Sequence, residues 1–195
     1  MGDLFDGYAA AATRRPGAPP WDEMFSDITA AGPDVARDAY RDIHTALSRM
    51  TQEELRGRTD ALASSYLAQG VTFDFAGEER PFPLDAVPRV IPQQEWVTVE
   101  AGVKQRVLAL ERFLDDVYGE QRAVRDGVIP ARLISSSEHF HREAAGIVSA
   151  NNVRIQVSGI DLIRDEQGAW RVLEDNVRVP SGVSYVISNR RVMAQ

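Results

Sequence analysis

Apolar residues recur every three or four positions in three stretches of this chain, which is the spacing of a helix with one buried face. The stretches are 33–50, 51–70 and 92–118. The second opens with Thr51-Gln-Glu-Glu54, a capping-box pattern that predicts the first turn of a helix. The third is the longest, and its apolar positions predict a continuous buried face: Val99, Val103, Val107, Leu110, Phe113, Leu114 and Val117.

Strands are predicted where apolar and polar residues alternate. Residues 71–75 alternate in this way, and 82–85 predicts an edge strand because its prolines would interrupt a central one. The run 129–134 is a candidate for a further short strand. The C-terminal third is richest in alternation, at 153–157 and 160–163.

The second of these C-terminal stretches begins a predicted hairpin. Residues 165–168 have the composition of a tight turn, and 169–173 return as the second arm. We therefore expect an α/β (α+β) fold in which a helical N-terminal portion packs on a mixed sheet and the C-terminal β-hairpin lies at its end. Residues 1–20 are rich in Ala, Gly and Pro, which predicts a flexible lead-in.

Composition limits the possible functions. The net charge of −7 argues against a general nucleic-acid-binding surface and against a basic membrane patch. The absence of cysteine excludes disulfides, thiolate metal sites and cysteine nucleophiles. No secretory signal and no apolar run of membrane-spanning length is evident, so we expect a cytoplasmic protein. Lys104 is the single lysine among 22 basic residues, and the chain has no P-loop motif.

The hairpin carries a set of oxygen-bearing side chains. Asp161 lies on the first arm, and Glu174 and Asn176, two residues apart, point to one face of the second. Two carboxylates and an amide oxygen are ligands that Mg²⁺ prefers, with water and phosphate oxygens completing its shell. The alternative interpretation is that Asp161 is a surface acid near a turn and that residues 173–176 are a polar strand end.

The residues after the hairpin favour the metal site. Arg178, two beyond Asn176, can reach the same cavity and bind a phosphate or a carboxylate. Gly182 permits close backbone approach, and Ser181 and Ser184 can cap the helix predicted over 183–193, whose N-terminus attracts anions.

At this point the sequence resembles a known family. A thirteen-residue step from Asp161 to Glu174-x-Asn176, then a Pro-Gly turn into a helix, is similar to the ATP-grasp ligases, such as the D-alanine–D-alanine ligases. More closely, 172–186, with 159–165 before it and Asn189-Arg190 after it, resembles the circularly permuted type 2 ATP-grasp proteins. Further stretches support this resemblance over nearly the whole chain: 5–8, 21–24, 80–85, 88–91, 117–121 and 126–130.

The resemblance implies that Asp161, Glu174 and Asn176 ligate Mg²⁺ on ATP. It also implies that Arg178 stabilises charge catalytically, and that the acceptor carboxylate or the transferred phosphate is bound by Arg178, Pro180, Ser181, Gly182 and Ser184. Residues 21–195 would then be the N-terminal part of a circularly permuted ATP-grasp domain. Family members are much longer, and permutation puts their nucleotide-binding segment, with its lysine and glycine-rich flap, after the last residue of this sequence.

Two hypotheses follow. In the first, the chain is the magnesium- and acceptor-binding part of an ATP-dependent carboxylate–amine ligase, inactive or nearly so without the remaining portion. In the second, it is a truncated, non-catalytic module that associates with a partner protein.

One departure from the D-alanine ligases concerns charge. They carry an arginine two residues before the aspartate, where this chain has Gly159, and Arg178 is the candidate replacement.

Overall fold

The computed structural model describes residues 4–8, 21–26, 28–29, 32–33 and 35–194. Helices and strands alternate along the chain, which confirms the α/β (α+β) class. The chain divides into two compact units. The first consists of Met1–Gln93, Leu162–Arg171 and Ser181–Gln195, and the second of Gln94–Asp161 and Val172–Pro180. Every helix in the described ranges is too short or too polar to cross a bilayer.

The strands pair as three two-stranded sheets. They are β1 (Ile28–Thr29) with β2 (Gly32–Pro33), β3 (Thr72–Phe75) with β4 (Glu78–Pro81), and β5 (Gly159–Arg164) with β6 (Trp170–Asn176). The mixed sheet expected from the sequence is therefore replaced, in the described residues, by separate local pairs. Short connections explain this difference, because they bring each strand first against its neighbour in the chain.

The β3–β4 hairpin corrects the predicted position of one strand. Its strands are antiparallel, with Phe75 opposite Glu78. Ala76 and Gly77 form the turn with φ of 56° and 86°, as a tight two-residue hairpin turn requires. The returning strand therefore begins at Glu78, and the edge strand predicted over 82–85 was placed four residues too late.

Helices of the first unit begin with a 3₁₀ turn (Asp38–Tyr40) that leads into α1 (Arg41–Leu47). This helix is shorter than the predicted 33–50, since Pro33 lies in β2. The next helix, α2 (Gln52–Ala68), has the predicted capping box. The amide of Glu54 donates to Thr51 Oγ1 over 3.2 Å, and the amide of Thr51 donates to Glu54 Oε2 over 2.7 Å.

The core of the first unit is built from four buried side chains: Met24, Phe25, Tyr40 and Leu47. Burial raises the pKa of Tyr40, whose hydroxyl accepts a 2.7 Å hydrogen bond from the amide of Val90. Leu4 and Phe5 pack against this core, so part of the predicted flexible lead-in has defined contacts. Residues 1–3 and 9–20 of that lead-in lie outside the described residues.

The last helix of the first unit, α6 (Val183–Val192), is fixed by two tyrosines. Tyr66 of α2 has no exposed surface, and its hydroxyl donates to Asn189 Oδ1 over 2.6 Å. Tyr185 donates to the carbonyl of Thr72 over 3.0 Å and stacks on Phe82, with ring centroids 4.3 Å apart. The predicted helix over 183–193 is thus confirmed to within one residue.

The second unit is organised around α3 (Gln93–Val117), which agrees with the predicted helix over 92–118. All seven residues of its predicted face are buried or partly buried. Two short helices follow, α4 (Arg122–Arg125) and α5 (Ala131–Ser135). Asp116 accepts hydrogen bonds from the amides of Arg122 and Ala123, and these bonds lower the pKa of its carboxyl group.

Two strand predictions in this unit were wrong. Most of the run 129–134 forms α5 instead, and Pro130 is the N-cap of this helix, with an extended backbone (φ −61°, ψ 131°). Residues 153–157 form no regular strand. Their backbone is held by a side chain of α3, since Glu111 accepts hydrogen bonds from the amides of Arg154 and Ile155.

Candidate functional site

The turn of the β5–β6 hairpin is fixed by Asp165. Its carboxylate accepts from the amides of Gln167 and Ala169, and its own amide donates to the carbonyl of Ala169 over 3.0 Å. Gly168 adopts φ of +79°, and a Cβ there would lie 2.6 Å from the ring of Trp21. Only glycine therefore fits this turn, which agrees with the tight turn predicted at 165–168.

The strands at this end of the hairpin are held by an arginine. Arg164 forms an ion pair with Glu23 over 3.0 Å, and its side chain is 8% exposed. Its guanidinium lies 4.1 Å from the ring centroid of Trp170 and 5.9 Å from that of Trp21. This cluster belongs entirely to the first unit, and it gives the hairpin a rigid base.

At the open end of the hairpin, Gly159 lies beside Asn176. A Cβ placed on Gly159 would lie 3.9 Å from the Cβ of Asn176, so the two positions share one face of the strand pair. Side chains alternate along a strand, which puts Asp161 on the face of Gly159 and Glu174 on the face of Asn176. Asp161, Glu174 and Asn176 therefore project from the same side of the hairpin.

Two contacts of the hairpin are separated by different numbers of residues on its two strands. Between the Asp165–Ala169 bond and the Gly159–Asn176 contact, β5 advances six residues and β6 seven. Partly buried and exposed residues alternate along β6 from Trp170 to Leu173, but Glu174, the next residue, is exposed as well. Both observations fit a β-bulge near these two residues, a feature that re-aims side chains within a strand.

The charged residues of the hairpin divide into two groups. Arg164, Asp165 and Asp175 are all ion-paired. Asp161 and Glu174 are exposed, and within the described residues their carboxylates make no hydrogen bond or ion pair.

Asp175 lies between the two residues of the Glu174-x-Asn176 motif and faces the other way. Arg106 of α3 binds its carboxylate in bidentate fashion, with Nε 2.7 Å from Oδ1 and an NH₂ group 2.6 Å from Oδ2. The hydrogen bonds and the charge of Arg106 lower the pKa of Asp175. The pair holds β6 against the long helix from the side opposite Glu174.

A second contact from α3 holds the chain just before β5. Arg154 forms an ion pair with Asp115 over 2.7 Å and donates to the carbonyl of Ile147 over 3.0 Å. Its guanidinium also lies 5.4 Å from the ring centroid of Tyr118. Together with the bonds from Glu111, these contacts fix the segment from which β5 starts.

Gly159 explains the departure from the D-alanine ligase pattern. Its missing side chain would lie 3.2 Å from the Cβ of Pro180, closer than most real contacts of this kind. An arginine there would have to displace the turn that follows β6. Arg178 is exposed and has no ion-pair partner in the described part of the chain, so it remains the candidate replacement.

The start of α6 differs from the prediction in one respect. Its N-cap is Gly182, with φ of 103°, and no side chain caps the helix. Ser181 and Ser184, predicted as possible caps, are exposed and do not serve as caps, since the left-handed glycine sets the direction of the first turn. The first amide groups of α6 therefore have no capping side chain. Ser181, Gly182 and Ser184 belong to the first unit, whereas Arg178 and Pro180 belong to the second.

The donor set of the hairpin fits Mg²⁺ bound together with phosphate. The described residues contain no group of three or more His, Asp or Glu side chains that could hold a metal ion. Asp161, Glu174 and Asn176 supply two carboxylates and one amide oxygen. A magnesium ion bound this way keeps several positions for water and substrate phosphates.

Sequence reasoning did not find the Arg106–Asp175 pair. In the sequence, Asp175 is only the unspecified residue x of the Glu174-x-Asn176 motif. Arg106 is one of several charged residues on the polar side of the helix predicted over 92–118. The two are 69 residues apart, so no local pattern links them. One signal was available in the sequence. Asp175 is an acidic residue between two proposed ligands, so the alternation of side chains along a strand turns it to the opposite face, toward the rest of the protein.

Comparison with known proteins gives a family match. The family model described as "Circularly permuted ATP-grasp type 2" matches residues 88–195, which include every residue of the proposed site. The uncharacterized protein Rv2411c of Mycobacterium tuberculosis is 54% identical over 192 residues, covering 98% of this chain and 33% of the relative. The uncharacterized protein sll0335 of Synechocystis is 44% identical over 151 residues, 75% of this chain and 31% of the relative.

A third relative has a name that describes an activity. "Putative glutamate--cysteine ligase 2-2" of Frankia casuarinae is 40% identical over 160 residues, covering 81% of this chain and 18% of that protein. The chain thus spans about a third or less of the length of the curated relatives it matches.

Proposed function

Because the chain belongs to the circularly permuted ATP-grasp type 2 family, we propose that it provides the magnesium- and acceptor-binding part of an ATP-dependent carboxylate–amine ligase. Asp161, Glu174 and Asn176 would hold Mg²⁺ on ATP. The proposal is supported most strongly by the 3.9 Å contact between the Gly159 and Asn176 positions, from which side-chain alternation puts Asp161 and Glu174 on the same face as Asn176. The name of the Frankia relative supports a ligase of this class.

The proposed reaction has two steps. A substrate carboxylate oxygen attacks the γ-phosphorus of ATP, which forms an acyl phosphate and releases ADP. An amine then attacks the acyl carbon, forming an amide bond and releasing phosphate. Bound Mg²⁺ would supply neutralising charge for the phosphate oxygens, which is the main requirement of phosphoryl transfer.

The chain's own residues would contribute position and charge. Arg178 would pair with the acceptor carboxylate or the transferred phosphate, for which a guanidinium is well suited. The backbone of Pro180, Ser181 and Gly182 and the hydroxyl of Ser184 would bind anionic oxygens near the uncapped start of α6. The proposal places charge stabilisation, rather than proton transfer, on these residues.

The test is titration of the whole chain with ATP and Mg²⁺ by calorimetry, comparing wild type with Glu174→Ala. We expect wild type to bind in a magnesium-dependent way and the variant to bind at least about tenfold more weakly. Glu166→Ala is the matched control, because it removes an exposed carboxylate at the turn of the same hairpin. Equal affinity in Glu174→Ala and wild type would contradict the proposed metal site.

Turnover is tested by adding the rest of the Mycobacterium tuberculosis relative, the two thirds that this chain does not match. We expect ATP hydrolysis dependent on an amino acid or short peptide only in the mixture, with hydroxylamine trapping the acyl phosphate. Arg178→Ala should lower this turnover. Turnover without a carboxylate substrate would argue against ligase chemistry.

The second candidate function is a non-catalytic module that binds a partner. One face of α6 favours it, since Val183, Val186 and Ile187 are 71%, 64% and 50% exposed at helical spacing. If no nucleotide binds and the added portion associates without turnover, the module function is the correct one. Val186→Glu should then abolish that association.

A further inference from the structure

Arg106 and Asp175 have no role in the chemistry proposed above. Asp175 nevertheless lies in β6, the strand that carries two of the proposed metal ligands, and Arg106 binds its carboxylate. Asp175 is flanked by Glu174 and Asn176, and alternation turns its side chain to the opposite face of β6. Arg106 is the fourteenth of the 25 residues of α3, so it lies far from both ends of the helix. All four residues belong to the second unit.

The geometry of the contact is that of a specific clamp. Arg106 Nε lies 2.7 Å from Oδ1 and 3.0 Å from Oδ2 of Asp175, and the NH₂ group lies 2.6 Å from Oδ2. The Asp175 side chain is 20% exposed and that of Arg106 is 46% exposed, whereas the side chains of the Lys104–Glu100 pair on the same helix are 70% and 45% exposed. A bidentate guanidinium–carboxylate contact fixes orientation as well as distance.

The clamp opposes a shift of β6 along its length. A strand with one extra residue can shift that residue along its length, and a shift of one position would exchange the faces of Glu174 and Asp175. Anchoring Asp175 to the helix prevents this exchange, because the carboxylate bound to Arg106 cannot turn to the opposite face. Glu174 and Asn176 are then held on the face of Asp161.

We propose that Arg106 and Asp175 are positioning residues that lock the register of β6, so that Glu174 and Asn176 face Asp161 as a preformed divalent-cation site. This inference rests on the proposed function, since it assigns a role relative to the same metal ligands. Contacts of this kind, one step removed from the metal, typically change metal affinity tenfold or more when removed.

The experiment measures binding of Mn²⁺, as a paramagnetic substitute for Mg²⁺, to the whole chain by electron paramagnetic resonance. The variants are Arg106→Ala, Asp175→Asn and Glu174→Gln. Lys104→Ala is the matched control, because Lys104 forms an exposed ion pair with Glu100 on the same helix, over 2.7 Å. Circular dichroism and thermal melting establish that each variant is folded.

We expect Arg106→Ala and Asp175→Asn to weaken Mn²⁺ binding about tenfold while Lys104→Ala binds as wild type does. At saturating Mn²⁺ the two clamp variants should also give a broadened spectrum, which reports a mixture of ligand geometries that a purely stabilising contact would not produce. Arg106→Lys, which keeps the charge but loses the bidentate geometry, should restore part of the affinity and leave the spectrum broad.

The outcomes separate this inference from the proposed function. If wild type binds Mn²⁺, Glu174→Gln does not, and the clamp variants match Lys104→Ala in affinity and spectrum, the clamp is refuted while the metal site stands. If wild type fails to bind Mn²⁺, or Glu174→Gln binds as tightly, the metal site is refuted and the positioning role is refuted with it.

Discussion

Removing one buried hydroxyl, in Tyr66→Phe, tests how α6 is attached to the first unit. The side chain of Tyr66 has no exposed surface, and its hydroxyl donates a 2.6 Å hydrogen bond to Asn189 Oδ1. A hydrogen bond in a protein contributes about 0.5–1.5 kcal/mol net, and a buried group left without its partner costs more. Because Asn189 is only partly buried, water can replace part of the lost bond. We therefore expect the free energy of unfolding to fall by about 1.5 kcal/mol.

The assay is equilibrium unfolding in urea followed by circular dichroism, with thermal melting as a second measure. For a chain of this size, 1.5 kcal/mol corresponds to a loss of about 3–6 °C in melting temperature. Tyr185→Phe is the matched comparison, since its hydroxyl bonds to the Thr72 carbonyl from a partly buried position over 3.0 Å. Its ring keeps the stack on Phe82, so we expect a loss of only about 0.5 kcal/mol.

A double-mutant cycle assigns the effect to the contact itself. If the bond is the cause, Tyr66→Phe and Asn189→Ala should not add, and their interaction energy should be about 1 kcal/mol. A loss below about 0.3 kcal/mol in Tyr66→Phe, or full additivity of the two substitutions, would refute the reasoning.

The remaining predictions concern a glycine pair and the pH dependence of stability. Gly182→Ala should lower the free energy of unfolding by about 1–2 kcal/mol, because φ of 103° strains any residue with a Cβ. By contrast, Gly102 lies in the middle of α3, and a Cβ added there would have nothing within 4 Å. Gly102→Ala should therefore raise the free energy of unfolding by about 0.5–1 kcal/mol. Equal changes in the free energy of unfolding for the two variants, measured in urea, would contradict this contrast. The lowered pKa of Asp175 means that its contribution is present above the unfolded pKa near 4 and is lost as pH falls through the folded value. Wild type should therefore lose more stability than Asp175→Asn in unfolding measurements from pH 6 down to pH 3, and parallel curves would count against the ion pair with Arg106.

Local patterns were sufficient to predict much of this fold. The capping box at Thr51, the long helix now called α3, and the turn at 165–168 each depend on residues within a few positions of one another. The run 129–134 was assigned wrongly because a short apolar segment fits a strand and a helix equally well. Periodicity alone could not show that Pro130 precedes a first turn.

The candidate site was predictable in composition but not in geometry. The spacing predicts that Asp161, Glu174 and Asn176 are metal ligands, and this role stays a prediction. Which way each side chain faces depends on how β5 and β6 pair, which no sequence pattern showed. The clamp by Arg106 depends on a contact between residues 69 apart, which only the folded chain brings together.

The hydrogen bond between Tyr66 and Asn189 also has a consequence for the order in which the protein is made. These residues are separated by 123 positions, and the chain builds most of the second unit before it returns to the first. At typical rates of protein synthesis, about 5–20 residues per second, roughly 6–25 s pass between the synthesis of Tyr66 in α2 and that of its hydrogen-bond partner Asn189 in α6. During that interval the nascent chain exposes the surface that α6 later covers.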